Sequence, residues 1–331
     1  MFQLYPENLD FDPNECKLYI GSNFNGSVIV YDLYSNEHET LTFDGISGVY
    51  PFRLSGIDYD RATGDMLFVS NNEHPFQTMG KDLVGPNKLI RYSPKLRKVT
   101  NIVNIDPQLG SPIGGFQDTA EDSRGNAYMP SSWGAAILKV DRVGSVSTFY
   151  YGPSEEPSNE DESTAPMFSM GIISTPSDKI VVCNSSEGAF YSFDTKAHHP
   201  KPALVHMSNL SSEYKGCSCD GMSNPFRYRQ NVLLCSENTY GGTGGISVFE
   251  TTDDWKSATY RGMIMNDDPN VGKGYPTATV QVVDSIYISE FYLDVVVSEE
   301  FGYTAGNRSQ FYFTDITHKL DSLVQHNKPG Y

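Results

Sequence analysis

The sequence predicts an all-β chain folded as a six-bladed β-propeller with four antiparallel strands per blade. A short β-branched, aromatic-rich run ending in small polar residues recurs six times: Leu18-Tyr19-Ile20-Gly21-Ser22, Met66-Leu67-Phe68-Val69-Ser70, Ala127-Tyr128-Met129-Pro130-Ser131, Ile180-Val181-Val182-Cys183-Asn184, Val232-Leu233-Leu234-Cys235-Ser236 and Ile286-Tyr287-Ile288-Ser289-Glu290. The runs start at 18, 66, 127, 180, 232 and 286, so their separations are 48, 61, 53, 52 and 54 residues. Such spacing is that of a four-stranded propeller blade. Long amphipathic helical periodicity is nearly absent, apart from a short turn near His318–Val324.

Within each repeat the order reads strand A, tight turn, strand B, variable loop, strand C, turn, strand D. Each recurrent run is a B strand. The A-to-B turns carry Asp12-Pro13-Asn14, Asp60-Arg61-Ala62-Thr63-Gly64, Asp122-Ser123-Arg124-Gly125 and Pro176-Ser177-Asp178, residues that supply side-chain-to-backbone bonds, a preset φ or a positive φ. C strands follow, such as Val28-Ile29-Val30-Tyr31-Asp32 and Phe311-Tyr312-Phe313-Thr314-Asp315, often closed by an Asp that suits the turn into strand D. The expected blades of a single domain over 1–331 are 6–45, 52–106, 114–152, 167–208, 217–264 and 275–325. Three insertions break the rhythm, Asn72–Pro86, the acidic Gly152–Pro166 and Phe291–Arg308; connections this long are usually functional or mobile. The composition of the acidic one fits a solvated loop better than a buried lid.

Composition excludes several classes of partner. The chain carries 24 Lys+Arg against 41 Asp+Glu, a formal charge of −17, and no basic stripe tracks phosphates, so nucleic acid is not an expected partner. No apolar run reaches the ~20 residues of a membrane span, and no secretory leader is visible in the opening residues, as would also hold for a chain whose leader had been removed. Five cysteines leave at least one thiol unpaired, and Cys217-Ser-Cys219 lacks the spacing and the second ligand pair of a zinc site. Sequons at Asn25, Asn184, Asn209 and Asn307 leave the compartment open.

Because A and B are antiparallel and share a short turn, the B-to-C loops and D-to-A connections gather at the opposite face. The six B ends bring Asn23, Phe24, Asn71, His74, Ser131, Trp133, Asn184, Glu237, Asn238, Glu290 and Tyr292 to one expected mouth. The six A starts bring Tyr50, Phe52, Arg53, Phe116, Gln117, Asp118, Phe168, Met170, Asp220, Tyr275 and Thr277. Aromatic walls with a few convergent polar groups are the make-up of a small-molecule pocket. The asparagines at B ends fit turn capping as well as ligand binding. Arg53 either pairs with a carboxylate such as Asp118 or grips a substrate oxygen; the second is expected if central strands face an open channel. His74 is the one imidazole mapped to the mouth for proton transfer, or else an exposed loop histidine. Trp133 either contacts substrate or plugs the funnel.

Two function classes fit a propeller without further information. A calcium-dependent lactonase needs several hard oxygens, and Glu7, Asn184, Asn238 and Asp220 offer them without forming a motif. A non-catalytic scaffold usually carries WD or kelch repeats, which this chain, with two Trp, lacks. A third class comes from resemblance. The stretch Phe11-Asp12-Pro13-Asn14-Glu15-Cys16-Lys17-Leu18-Tyr19, continuing through Asn25-Gly26-Ser27-Val28-Ile29-Val30-Tyr31-Asp32, Phe43-Asp44-Gly45-Ile46-Ser47 and Gly56-Ile57-Asp58-Tyr59-Asp60, resembles a fungal propeller family. That family includes trichothecene-biosynthesis cyclases and is similar to the hetero-Diels–Alderases of tropolone–sesquiterpenoid pathways. The likeness is greatest over Phe11 to Asp141.

The resemblance implies a cofactor-independent cyclase of secondary metabolism. Its substrates would be a tropolone-derived o-quinone methide, formed by dehydration, and a humulene-type sesquiterpene. Residue roles come from the blade map rather than from the family. Arg53, helped by Asn71 or Gln117, is expected to hold the tropolone oxygens, and His74 or Glu237 to handle the dehydration proton. Phe52, Phe116, Trp133, Phe168, Met170 and Tyr292 are expected to wall the terpene side, with Asn238 a further substrate contact. No metal ligand is assigned.

Overall fold

A computed structural model describes residues 2–105, 113–152, 167–212, 214, 216–238, 244–266, 274–292, 294–298 and 302–324. Six small antiparallel sheets form a ring, so the chain is an all-β, six-bladed propeller. Blade 1 runs Pro6–Asp12, Lys17–Ser22, Ser27–Asp32 and His38–Leu41, and blade 2 runs Phe52–Asp60, Asp65–Asn72, Lys88–Ser93 and Lys98–Asn104. The next three blades are built on the B strands Ala127–Trp133, Lys179–Asn184 and Val232–Glu237. The turns between A and B are held as expected: Asp12 Oδ1 accepts from Asn14 N (2.8 Å), Asp60 Oδ1 from Ala62 N (2.9 Å) and Asp122 Oδ1 from Arg124 N (2.9 Å).

Side-chain alternation explains why the B runs are apolar on both faces. Each sheet packs a neighbour on either side, so successive residues enter different seams. Met66 and Phe68 pack toward blade 1 with Tyr19 and Val28, whereas Leu67 and Val69 pack toward blade 3 with Phe116 and Met129. In blade 5, Leu233 joins Val181 and Phe190 of blade 4, whereas Val232 and Leu234 join Ile286 and Ile288 of blade 6. The seam between the last blade and the first holds Leu9, Ile20, Ala278 and Val280. Fully burying one such Phe or Leu contributes ~1.5–3 kcal/mol, so the ring rests on six seams.

Closure uses polar bonds as well. Gln3 N donates to Arg308 O and its Nε2 to Gly306 O, both at 2.8 Å, and the Tyr5 hydroxyl donates to Asp294 Oδ1 at 3.0 Å. These tie the start of blade 1 to the insertion of blade 6. The sheet of blade 6 has Gly274–Val282, Ser285–Tyr292 and only Thr314–Asp315 of the expected C strand. Beyond it the helix Thr317–Val324, foreseen as a turn, packs Leu320 into the seam between blades 5 and 6. A strand not foreseen, His206–Ser208, adds in parallel to the outer edge of blade 5.

Two insertions are described. The first contains the short helix His74–Gln77, and the second a hairpin of Val296–Ser298 with Gly302–Thr304. Most of the acidic insertion, 153–166, lies outside the described residues. Among the described residues no helix is long and apolar enough to cross a membrane.

Candidate functional site

Innermost strands of all six blades line one axial channel, to which Asn8, Ile57, Asp118, Ile172, Met222 and Thr279 each contribute. One cavity of this channel, which also touches Asp10, Asp58, Arg61, Glu121 and Phe226 beside the A-to-B turns, holds about 90 Å³ of free space. That suits several waters at ~10–15 Å³ each and falls well short of the ~300–1,000 Å³ of a pocket for a sizeable ligand.

Carboxyl groups from four blades meet around the upper channel. Glu7 is held well above the usual carboxylate range, first by burial and then by the negative charges of Asp220 and Glu73. Burial pushes Asp118 up to about 7, against hydrogen bonds from Ile172 N (3.1 Å), Thr119 N (3.0 Å) and Asn8 Nδ2 (3.1 Å). Asp220 also rises to about 7 through burial, although Asn238 Nδ2 donates to its Oδ2 at 3.0 Å. Glu73 rises to about 7 for the same reason and is restrained by Arg53. The array is rich in protons near neutrality, because removing each charge from water costs more than its partners return.

Arg53 and Glu73 mark one corner of the array. Arg53 Nε lies 3.1 Å from Glu73 Oε2, both side chains being buried. Its Nη2 donates to Tyr303 O at 2.8 Å, and its guanidinium lies 5.3 Å from the Phe24 ring centroid. Beside it, His74 Nε2 is 2.8 Å from the Tyr50 hydroxyl. That hydroxyl donates to Gln77 Oε1 at 3.4 Å, and Gln77 packs directly against Gly302 of the blade 6 hairpin. The two insertions therefore meet over this corner, which joins a guanidinium, a carboxyl held near its titration midpoint, an imidazole and a phenol.

Several expected mouth residues stand elsewhere. Arg53 pairs with Glu73 and a backbone carbonyl, not with Asp118. Phe52, Phe116 and Phe168 pack in the seams between blades, and Tyr292 is buried against Tyr5. The reason is geometric: only the edge of strand A faces the channel, and its side chains point to the neighbouring blades. Trp133 is buried edge-on to Phe76 at 5.1 Å and lies against Gly80 and Gly115. Both glycines have positive φ, 80° and 73°, and a Cβ on either would collide with the indole, so Trp133 plugs the gap under the first insertion. Glu237 is fully buried in the seam between blades 4 and 5, beside Cys217, and burial lifts it to about 7 against the effects of Ser247 and Tyr214. It is no mouth acid.

Met170 is half-buried. Asn71 and Gln117 keep buried acceptor oxygens with no hydrogen-bond partner among the described residues, a condition that a donor at the mouth would relieve. Asn238 faces Asp220 as described. Asn184 instead caps a turn, its Oδ1 accepting from Ser186 Oγ at 2.8 Å and from Glu187 N at 3.3 Å. The oxygen set of the calcium reading is thus gathered in part only, Glu7, Asp220 and Asn238 without Asn184. Among the described residues no three His, Cys, Asp or Glu side chains are arranged to hold a metal ion. Glu73 was not singled out from sequence; its only signal was its place beside His74 at the head of an insertion.

The raised carboxyls set a pH dependence of stability. Glu73, Asp118 and Asp220 sit near 7 in the folded chain, against about 4 when unfolded. Between those values the folded state binds more protons, so stability falls as pH rises from about 4 to about 7. The melting temperature is expected to be higher at pH 5.5 than at pH 8, and substituting Asn for both Asp118 and Asp220 should flatten that difference. A melting temperature rising across this interval in the parent protein would contradict the burial of these charges.

A six-bladed propeller with an acid-lined mouth defines the class. No protein-family model matches the chain. Among curated proteins it is 26% identical to trichothecene biosynthesis protein 14 of Trichoderma arundinaceum, over 98% of this chain and 88% of that protein. It is 25% identical to core trichothecene cluster (CTC) protein 14 of Fusarium sporotrichioides, over 97% and 84% respectively. The fold matches the crystal structure of the major Malassezia sympodialis allergen Mala s 1 with a TM-score of 0.77 and 20% identity, covering 95% of this chain and 93% of that one. The chain is therefore a propeller homologue of the trichothecene-cluster proteins, and the likeness read over blades 1 to 3 extends through all six.

Proposed function

We propose that this protein is a cyclase of fungal secondary metabolism that dehydrates a hydroxymethyl tropolone and joins the resulting o-quinone methide to a humulene-type olefin by hetero-Diels–Alder cycloaddition. Its relatives' role in trichothecene biosynthesis supports a place in secondary metabolism. The observation that carries the chemistry is Glu73, a buried carboxyl lifted to about 7 beside Arg53 at the mouth. A general acid works best with its titration point near the working pH.

In this reading Glu73 gives its proton to the departing hydroxyl, which leaves as water. The tropolone hydroxyl loses a proton to the His74–Tyr50 pair, so protons balance and a neutral o-quinone methide remains. Asn71 or Gln117 accepts from the tropolone hydroxyl beforehand, and Arg53 supports the ring oxygen through its positive charge. The heterodiene then adds across the olefin, forming one C–C and one C–O bond of a dihydropyran. Holding the two partners face to face contributes up to ~7–11 kcal/mol in favourable cases. Exposed apolar side chains of the hairpin, Val296, Val297 and Tyr303, supply a surface for the hydrocarbon.

The direct test incubates the protein with a hydroxymethyl tropolone and a humulene, with and without EDTA, and follows the dihydropyran. Product should form faster than in buffer, with one stereoisomer dominant, and His74→Ala should slow dehydration. Absence of acceleration would overturn this reading, and metal-dependent hydrolysis of a lactone in place of cycloaddition would replace it with the lactonase one.

A further inference from the structure

Four of the five cysteines of the chain lie in one seam. Cys183 is in strand B of blade 4, Cys217 and Cys219 lie on the link into blade 5, and Cys235 is in strand B of blade 5. All four are at most 1% exposed and pack with Phe190, Phe249 and Trp255. Cys219 and Cys235 are joined as a disulfide, which binds the inner part of blade 5 to its B strand. The sulfurs of Cys183 and Cys217 are 2.6 Å apart. From this contact we infer that Cys183 and Cys217 form a second disulfide, which fastens blade 4 to the segment entering blade 5.

The contact puts the two sulfurs within reach of a bond. Bonded sulfurs stand ~2.05 Å apart, and two separate thiols do not approach to 2.6 Å without overlap. Zinc ligation fails on the same measure, because two thiolates at ~2.3 Å from a tetrahedral zinc are about 3.8 Å from each other. The backbone is also set for the bond: Cys217 N donates to Gly188 O at 3.2 Å, and Cys219 N points at Cys183 Sγ at 3.5 Å. As a free thiol Cys217 would be inert, since burial and then Cys183 hold it well above its ordinary range.

Because the seam is closed, the bond must form while blades 4 and 5 are still apart. A small-molecule disulfide such as glutathione disulfide is the oxidant. One cysteine thiolate attacks it to give a mixed disulfide and release one thiol, and the second cysteine displaces the other. Two protein thiols are oxidised, one disulfide is reduced to two thiols, and two electrons pass. With both bonds formed, the cysteine left over is Cys16, half-buried in blade 1. Two buried disulfides in one seam belong to a chain that folds in an oxidising compartment.

The experiment uses the intact protein secreted by a eukaryotic host, unfolded in guanidinium with iodoacetamide and no reductant. One alkylated cysteine, Cys16, is expected by intact mass, rising to five after reduction. Protease digestion without reduction should yield a peptide pair linked through Cys183 and Cys217. Three alkylated cysteines, or a link from Cys183 to Cys219, would overturn the assignment. A Cys183→Ser/Cys217→Ser variant is expected to melt at lower temperature than the parent, with the gap closing when both are measured in reductant. If that variant fails to fold, the alkylation count on the parent still decides.

Discussion

Glu73→Gln is expected to lower turnover by ~10²- to 10⁴-fold, the usual contribution of a positioned general acid, while the propeller stays folded. The amide keeps the shape of the carboxyl and still accepts from Arg53, so the packing of this buried corner persists. What disappears is the proton. Glu73 is pushed up to about 7, so as the acid it must be protonated, and the parent rate should fall as pH rises through that value. In the variant that alkaline limb should vanish. The check is kcat/KM against pH for both proteins, beside their melting curves. A retained limb would move the acid to another member of the array, with Glu7 the next candidate.

Arg53→Ala should have the second large effect, on stability and on the pH profile together. The side chain offsets the charge of Glu73, holds Tyr303 O and lies over Phe24. Its removal leaves a buried carboxylate unpaired, a change that costs about 3–5 kcal/mol when no relaxation intervenes. Arg53 also lowers the Glu73 titration point; without it that point rises, and the alkaline limb of the rate profile moves to higher pH. Protonation of Glu73 then recovers part of the loss, so the destabilisation should be smaller at pH 5 than at pH 8. Arg53→Ala/Glu73→Gln should be more stable than Arg53→Ala alone at pH 8, the coupling that contact between the two residues requires. A loss under about 1 kcal/mol would mean a solvated pair.

The two variants also separate the parts of the proposed mechanism. Removing the proton should slow dehydration and leave the addition of a preformed o-quinone methide nearly intact. Removing the guanidinium should impair both steps, because it supports the tropolone oxygen and anchors the hairpin through Tyr303.

Much of the architecture was legible in residues close along the chain. Runs such as Met66–Ser70 and Val232–Ser236 mark B strands because both faces of a blade are buried, and Asp12, Asp60 and Asp122 mark the turns that precede them. Repetition at blade length then implies radial closure. Of the candidate site, the placement of Arg53 opposite Asn71 and close to His74 was legible from the blade map. Glu7, Asp118 and Asp220 were named from sequence only as candidate partners or ligands, since no local pattern says that three distant blades bring carboxyls together.

By itself the sequence determined the number of blades, the order of strands within them and which end of each strand reaches the mouth, because turn chemistry and alternation act between near neighbours. Tertiary structure alone decided which side chains enter a seam and which reach the channel, so Phe116 became core and Glu73 a buried carboxyl paired with Arg53. It also decided which cysteines meet, since an odd count permits many pairings. These outcomes depend on the position of each blade against the next, a separation of some fifty residues that no local rule spans, and burial between blades is what lifts ordinary carboxyls toward neutrality.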